Sequence, residues 1–560
     1  MSDLDCDSNH SNCLEFLHRP QEAPTTVAKM SLPIIPTIAL TILSALFLYR
    51  FIIHPIFLSP LRHAPSAHWT APFSPLWILS HRLWQTDTPT VHAAHQKHGP
   101  ILRLAPNELS VNSVSGGLRT IYAGGYEKGD WYANVFSNYG VQPMFAMPGR
   151  AEHSKRKRML SNVYAKSTLQ GSSAVAEISR VLLGERMGPR LEGFAKGGEA
   201  VEVYDVFSAF TMDAVAGYVF GLENGSDFLR QPEHAARFLK DYKARQIHTF
   251  WPQELPNFTN FMGNIGLLGL IVPPWVAKAN RDIEAWILSM CDKAERSLKE
   301  VDASKKKIEY VADTPTVYAQ LRQALIKEAG KSDKDACAEQ VVQSSRLEMA
   351  SEMLDHVLAG FDTSSITLTW LAWELSRTAN KAAWQTKLRE EIAGLEGNTD
   401  AKHIDGLPIL HGCLMETLRL HAAIPGNQPR MTPSAASLGP EGQAVSDLPA
   451  GIRVQSQAWS LHRNPEIFPD PDSWRPERWI DASEAQLKEM GKWFWAFGSG
   501  GRMCVGSNLA MLEMKNVMVA IWGRFDTEVA DDEGMVHNGG YLAEPVGKNG
   551  KYLKLRFKTL

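Results

Sequence analysis

The 560-residue sequence has few cysteines and almost no net charge. Its cysteines are scattered and form no Cys-x-x-Cys pair, which argues against a disulfide framework or a zinc site. A formal net charge of −3 at pH 7 argues against nucleic acid as a partner, since nucleic-acid-binding surfaces need a basic excess. The six cysteines are Cys6, Cys13, Cys291, Cys337, Cys413 and Cys504.

One long apolar run stands near the N-terminus. The 18 residues from Leu32 to Tyr49 carry no charge and would span roughly 27 Å as a helix, close to one bilayer core. We predict a transmembrane anchor over 32–53, after a disordered lumenal leader (1–31) and before a proline-rich linker (54–75) and one folded domain (76–560). A cleaved signal peptide and a buried core helix are the alternatives. Arg50 and Arg62 follow the run and place the large domain in the cytosol.

Beyond the linker, apolar periodicity is mostly helical. Short strand-like segments occur at 101–111, 453–458 and 551–557, so the sequence predicts a mainly α domain with small β-sheets. The helical stripes are 173–191, 201–221, 275–301 and 340–378.

A glycine-rich segment, FGSGGRMCVG over 497–506, places Cys504 just before an apolar helix-forming run. Exposed N–H groups and the helix dipole at that position favour a thiolate over a thiol. The glycines permit close approach to a flat partner, and Arg502 suits a carboxylate. These features point to a haem iron with Cys504 as axial ligand. The alternative is a structural cysteine beside a glycine turn.

The same segment resembles the haem signature of the cytochromes P-450, Phe-x-x-Gly-x-Arg-x-Cys-x-Gly. Phe497, Gly500, Arg502, Cys504 and Gly506 meet every fixed position. The resemblance implies the cytochrome P-450 fold and one haem b bound through Cys504.

A second motif, AGFDTS over 359–364, lies within the helical stripe at 340–378. It is similar to the distal-helix pattern of the family. The resemblance implies that Thr363 positions dioxygen and its water, while Asp362 relays protons. The small residues Ala359 and Gly360 would let another object lie against the helix.

A charged trio is also indicated. Glu416 and Arg419 are spaced i, i+3 on one helical face, and the resemblance adds Arg478 from a Pro-Glu-Arg-Trp motif. The implied role is structural: the trio locks the loop that presents Cys504. A solvated surface ion pair is the alternative.

By resemblance, cations for the two haem propionates come from Arg502, Arg430 and a basic helix. In that helix His153 and Lys157 replace the Trp and Arg of the usual family pattern. Four consecutive cations, Lys155, Arg156, Lys157 and Arg158, are further predicted to form a docking patch for an electron donor.

The implied activity is monooxygenation of a lipophilic small molecule. It would use O₂ and electrons from NADPH-cytochrome P-450 reductase, with cytochrome b5 as a second candidate donor, because the stretch after Cys504 is too short for a fused reductase. We expect a single-pass protein of the endoplasmic reticulum membrane in fungal specialised metabolism. The alternatives are a haem-thiolate isomerase or dehydratase that does not use O₂, and a non-catalytic haem-binding protein. By resemblance, the substrate pocket is formed by residues 132–147, 250–275, 422–428 and 541–545, with Ala359.

Overall fold

The computed structural model describes residues 34–304, 308–335, 337–547 and 552–560. Contacts divide the chain into two units between His54 and Pro55. The first unit contains helix α1 (Ile34–Leu48), which continues as a π-helical segment, Tyr49–Leu58, into the predicted linker. The predicted leader lies outside the described residues. In the described part of the chain one stretch, Pro36–Leu58, is long and apolar enough to cross a membrane, by length and composition.

The second unit is mainly helical, as predicted. Its π-helical segments are Val114–Ala123 and Val181–Met187, and its 3₁₀ turns are short. Its α-helices are α2 (Leu76–Leu83), α3 (Asp87–His98), α4 (Asp130–Phe136), α5 (Arg150–Leu160), α6 (Lys166–Gln170), α7 (Ser173–Arg180), α8 (Gly188–Gly197), α9 (Val203–Phe220), α10 (Pro232–Gln246), α11 (Phe250–Glu254), α12 (Pro256–Asn264), α13 (Pro274–Ser304), α14 (Thr316–Ser332), α15 (Ala338–Ser344), α16 (Arg346–Ser376), α17 (Thr378–Ala393), α18 (Ala401–Asp405), α19 (Pro408–Leu420), α20 (Ala458–Leu461), α21 (Glu477–Ile480), α22 (Glu484–Trp493) and α23 (Ser507–Trp522).

The described part of this unit also contains four small sheets. The largest has the order β1-β2-β7-β4, in which β2 and β7 are parallel and the other pairs antiparallel. The others are β3-β11-β8, β5-β6 and β10-β9. The strands are β1 (Ile101–Ala105), β2 (Glu108–Val111), β3 (Val201–Glu202), β4 (Arg430–Met431), β5 (Ala436–Leu438), β6 (Val445–Leu448), β7 (Arg453–Gln455), β8 (Phe525–Asp531), β9 (Val536–His537), β10 (Pro545–Val546) and β11 (Lys554–Thr559).

Helix α16 runs through the core and packs against α9, which is buried at every position except Asp205. The Thr211 hydroxyl of α9 donates to the Phe361 carbonyl at 2.9 Å. A Cβ at Gly360 would lie 2.8 Å from the Val215 side chain. The small size of Gly360 therefore allows close packing of helix α9, whereas Ala359 beside it remains exposed.

The loop before α23 is tightly folded. The Cys504 N–H donates to the Phe497 carbonyl at 2.9 Å, and Gly498 and Gly500 have φ of 71° and 69°, which favours glycine. A Cβ at Gly500 would also lie 2.5 Å from the Tyr122 carbonyl oxygen. The signature glycine at 500 is thus required twice, by its conformation and by a close backbone contact.

The predicted trio is present, and its Glu416–Arg419 pair is fully enclosed. Arg419 donates two hydrogen bonds of 2.8 Å to Glu416, and both side chains have no exposed surface. The Arg478 Nε donates to the same carboxylate at 3.1 Å, as does the Trp479 indole at 3.0 Å. Every carboxylate oxygen has a partner, which a buried ion pair needs in order to be tolerated.

A buried histidine connects this trio to the Cys504 loop. His462 Nδ1 donates to the Arg419 carbonyl at 2.8 Å, and its Nε2 accepts from the Trp495 N–H at 2.7 Å. Burial lowers the pKa of His462 to about 3, so the ring is neutral and each nitrogen has one role. The Trp495 indole in turn donates to the Ser499 hydroxyl at 3.0 Å, inside the loop. The sequence prediction found the trio but not this link.

We predict that Glu416→Ala lowers the free energy of unfolding by about 3–5 kcal/mol, because it leaves buried arginines without their anion. Denaturant unfolding followed by circular dichroism measures this. Glu489→Ala, which breaks an exposed pair with Lys492, is the matched control and should change stability by less than about 1 kcal/mol. Equal effects in the two variants would contradict a structural role for the trio.

Candidate active site

Cys504 is an exposed residue, although enough protein surrounds its thiol for burial to dominate its pKa. Burial raises its pKa above the ordinary value, while the N–H groups of Gly506 and Ser507 and the charge of Lys157 act in the opposite direction. The groups predicted to stabilise a thiolate are present, but the pKa of Cys504 is raised overall. This is opposite to the prediction that the loop alone favours a thiolate. A coordinated metal ion would remove the proton outright.

A cluster of basic side chains, Arg430, Arg502, Lys128 and His153, lies in the same region. Burial, together with the charge of Arg430, lowers the pKa of Arg502 to about 10. Burial, together with the charges of Arg502 and Lys128, lowers the pKa of His153 to about 3, so this ring is neutral. The pKa of Lys128 is lowered well below its usual range, by burial and by the two arginines.

Within the described residues none of these four side chains has an ion pair with a carboxylate. Arg502 donates to the carbonyls of Met147 and Pro148, both at 2.7 Å, and Arg430 donates to the Tyr132 hydroxyl at 2.9 Å. Lys128 donates to the Phe145 carbonyl.

Arg430 and Lys128 are buried without an anion in the described part of the chain, which is costly for a charged group, so the donor set fits a partner with two carboxylates, as a haem has. Lys128 was not predicted, because a single lysine in an irregular loop carries no pattern.

The basic helix α5 does not present its charges on one face. Lys157 donates to the carbonyls of Gly501 and Met503 at 3.0 and 2.9 Å, so it supports the Cys504 loop, and its predicted role at a propionate stays a prediction. Arg156 is buried and pairs with Glu348. The predicted four-residue docking patch is therefore wrong for Arg156; Lys155 and Arg158 are exposed.

On α16 the side chains of Asp362 and Thr363 point in different directions. The Asp362 carboxylate is buried and pairs with Lys243 of α10, which also pairs with Glu544. The Tyr242 hydroxyl donates to Asp362 at 3.1 Å. Burial alone would lower the pKa of Lys243, but the two carboxylates raise it well above its usual range.

Thr363 lies on the accessible side of α16. Its hydroxyl donates to the Ala359 carbonyl at 2.8 Å. Between Met349 and Ala372 only five residues are not fully buried, namely Asp355, Leu358, Ala359, Gly360 and Thr363. Asp355 lies close enough to Cys504 to raise the pKa of its thiol, so we infer that this strip of α16 and Cys504 border one internal space.

Comparison with known proteins agrees with these features. A family model described as Cytochrome P450 matches residues 71–543. The cytochrome P450 monooxygenase avaI of Aspergillus versicolor is 30% identical over 433 residues, 75% of this chain and 93% of that protein. Tryprostatin B 6-hydroxylase of Aspergillus fumigatus is 25% identical over 500 residues, 88% of this chain and 78% of its own length. The chain therefore belongs to the cytochrome P450 family of monooxygenases.

Proposed function

We propose that this protein is a membrane-anchored monooxygenase that inserts one oxygen atom from O₂ into a lipophilic small molecule. The observation that carries the proposal is the accessible Cys504 in a tightly folded loop, in the region of four basic side chains that have no carboxylate partner among the described residues. Electrons would come from an NADPH-dependent reductase, with cytochrome b5 as a second candidate donor. The fungal relatives support a place in specialised metabolism.

Haem b, when bound, supplies the redox chemistry that activates dioxygen. The chain's own residues would hold and orient that group. Cys504 would be the axial ligand, with Phe497 and Gly506 shaping its loop. Arg430, Arg502, His153 and Lys128 would bind the propionates, and Lys157 would keep the loop in place through two carbonyls.

The distal residues would control protons. The Thr363 hydroxyl can hold a water molecule on the accessible face of α16, while it keeps its bond to the Ala359 carbonyl. The Asp362 carboxylate points toward Lys243 and away from Thr363. A proton that Asp362 passes to Thr363 would first have to leave this ion pair. The pairing makes Asp362 a gated proton carrier, because the carboxylate must release Lys243 before it can turn.

We also propose attachment to the endoplasmic reticulum membrane with the large domain in the cytosol. The apolar stretch Pro36–Leu58 supports this. A second observation is the charge-free segment 255–277, which carries seven exposed large apolar side chains: Phe258, Phe261, Ile265, Leu267, Leu268, Leu270 and Trp275. Such a surface favours an interfacial membrane contact.

The ligand assignment is tested with carbon monoxide. The reduced, haem-loaded protein should show the red-shifted Soret band of a thiolate ligand, and Cys504→His should abolish it. Cys337→Ser, at an exposed cysteine elsewhere, is the control and should keep the band. Persistence of the band in Cys504→His would contradict the proposal.

We predict that Thr363→Ala keeps haem content but diverts reducing equivalents into hydrogen peroxide, because no hydroxyl remains to hold the water. The ratio of product formed to NADPH consumed measures this and should fall about tenfold. Thr363→Ser keeps the hydroxyl and should restore most of the coupling. Unchanged coupling in the alanine variant would remove Thr363 from the mechanism.

Removal of residues 1–54 should leave haem binding intact and convert the protein from an integral to a peripheral membrane protein. The cut must precede Pro55, because Arg103 donates to the Pro55 carbonyl at 3.2 Å and to the Ser59 hydroxyl at 3.2 Å. Vesicle flotation should show weak binding that Phe261→Glu with Leu270→Glu abolishes. If the truncated protein floats equally with and without these two substitutions, the proposed membrane contact of segment 255–277 is refuted.

A further inference from the structure

The carboxylate of Asp355 lies on the same face of α16 as Thr363. Asp355, Ala359 and Thr363 follow one another at i, i+4 and i+8, and all three remain at least partly accessible in a stretch of α16 that is mostly buried. Residues at this spacing lie on one helical face. Asp355 therefore borders the internal space that also reaches Cys504 and Thr363.

Asp355 has no partner in the described part of the chain: no hydrogen bond or ion pair reaches its side chain. The neighbouring acids differ, because Asp362 pairs with Lys243 and Glu352 accepts from the Met144 N–H at 3.0 Å. Lys128, whose charge also acts on Asp355, is held instead over the rings of Tyr132 and Phe145, at 3.9 and 3.7 Å from their centroids.

The surroundings disfavour an isolated negative charge. Burial, opposed by His356 and Lys128 and reinforced by Glu352, raises the pKa of Asp355 to about 7. An unpaired carboxylate in such a place is unfavourable unless a ligand supplies its counter-charge.

Aromatic rings form a connected wall in the same region. Phe136 and Phe145 lie 5.0 Å apart, and Phe136 and Tyr541 lie 6.2 Å apart, between ring centroids. All three side chains are partly accessible, and Tyr541 is close enough for Asp355 to raise its pKa. Aromatic faces attract cations, and a carboxylate beside them strengthens that preference.

We propose that Asp355 recognises a positively charged nitrogen of the substrate, and that the substrate is a lipophilic molecule bearing a protonated or quaternary amine. The inference rests on the proposed function, because the substrate must lie between Asp355 and the oxidising centre. The eight-residue separation from Thr363 is about 12 Å along the helix. The oxidised carbon therefore lies several bonds away from the charged nitrogen.

The experiment compares two matched probes in haem-loaded, full-length protein. One is a naphthylbutyl chain ending in trimethylammonium, which has no lone pair and cannot ligate iron. The other is its neutral isostere, ending in tert-butyl. Dissociation constants are measured by the substrate-induced Soret shift and by equilibrium dialysis, in the wild type, Asp355→Asn, Asp355→Glu and the control Asp241→Asn. Asp241 is exposed on α10, so its variant removes the same charge from the surface.

Asp355→Asn should weaken binding of the cationic probe about tenfold to a hundredfold and leave the neutral probe unchanged. Asp355→Glu should retain most of the preference, and Asp241→Asn all of it. If Asp355→Asn does not load haem, Asp355→Leu, which suits the neighbouring Leu358, provides the same comparison.

Equal changes for both probes, or no change for the cation, would overturn the inference. These outcomes are separate from failure of the proposed function. A wild-type protein without the red-shifted carbon monoxide band would refute the haem-thiolate assignment itself. A normal band with no cation preference would refute only the role of Asp355.

Discussion

The structure depends on the rigidity of one loop. Cys504 must present its sulfur at a fixed place, and the segment from Phe497 to Gly506 has little regular structure to hold it. Its rigidity comes from three directions. The turn closes on itself from Cys504 to the Phe497 carbonyl, and Lys157 binds two of its carbonyls from α5. The buried trio supports Trp495 and Ser499 through His462.

These supports explain why the chain tolerates so much buried charge. Glu416 and Arg419 have no exposed surface, and replacing them by apolar groups of the same shape would cost less desolvation. Apolar groups could not supply directional hydrogen bonds to the backbone. Arg419 reaches the carbonyls of His462 and Pro471 at 2.9 and 2.7 Å, which fixes the backbone of an otherwise irregular stretch. The network therefore specifies a geometry more than it adds stability.

Much of the fold, and of the Cys504 loop with its supporting trio, could be predicted from the sequence, because both rest on local patterns. The helical periodicity predicted α9, α13 and α16, and the spacing of Glu416, Arg419 and Arg478 predicted a trio that the fold brings together. The contacts that the sequence did not predict join residues far apart in sequence. Lys243 pairs with Asp362, and Arg156 turns inward to Glu348, through helix packing that no local pattern encodes. The pKa of Cys504 likewise depends on burial as well as on its helix terminus.

The central claim is that Cys504 ligates a haem iron through sulfur. X-ray absorption at the iron edge of the haem-loaded protein tests it most directly, because it counts sulfur in the first shell without any substrate or reductase. The account predicts one sulfur ligand in the wild type and none in Cys504→Ser, with iron still bound by the four haem nitrogens. A wild-type iron with only nitrogen and oxygen ligands would contradict it.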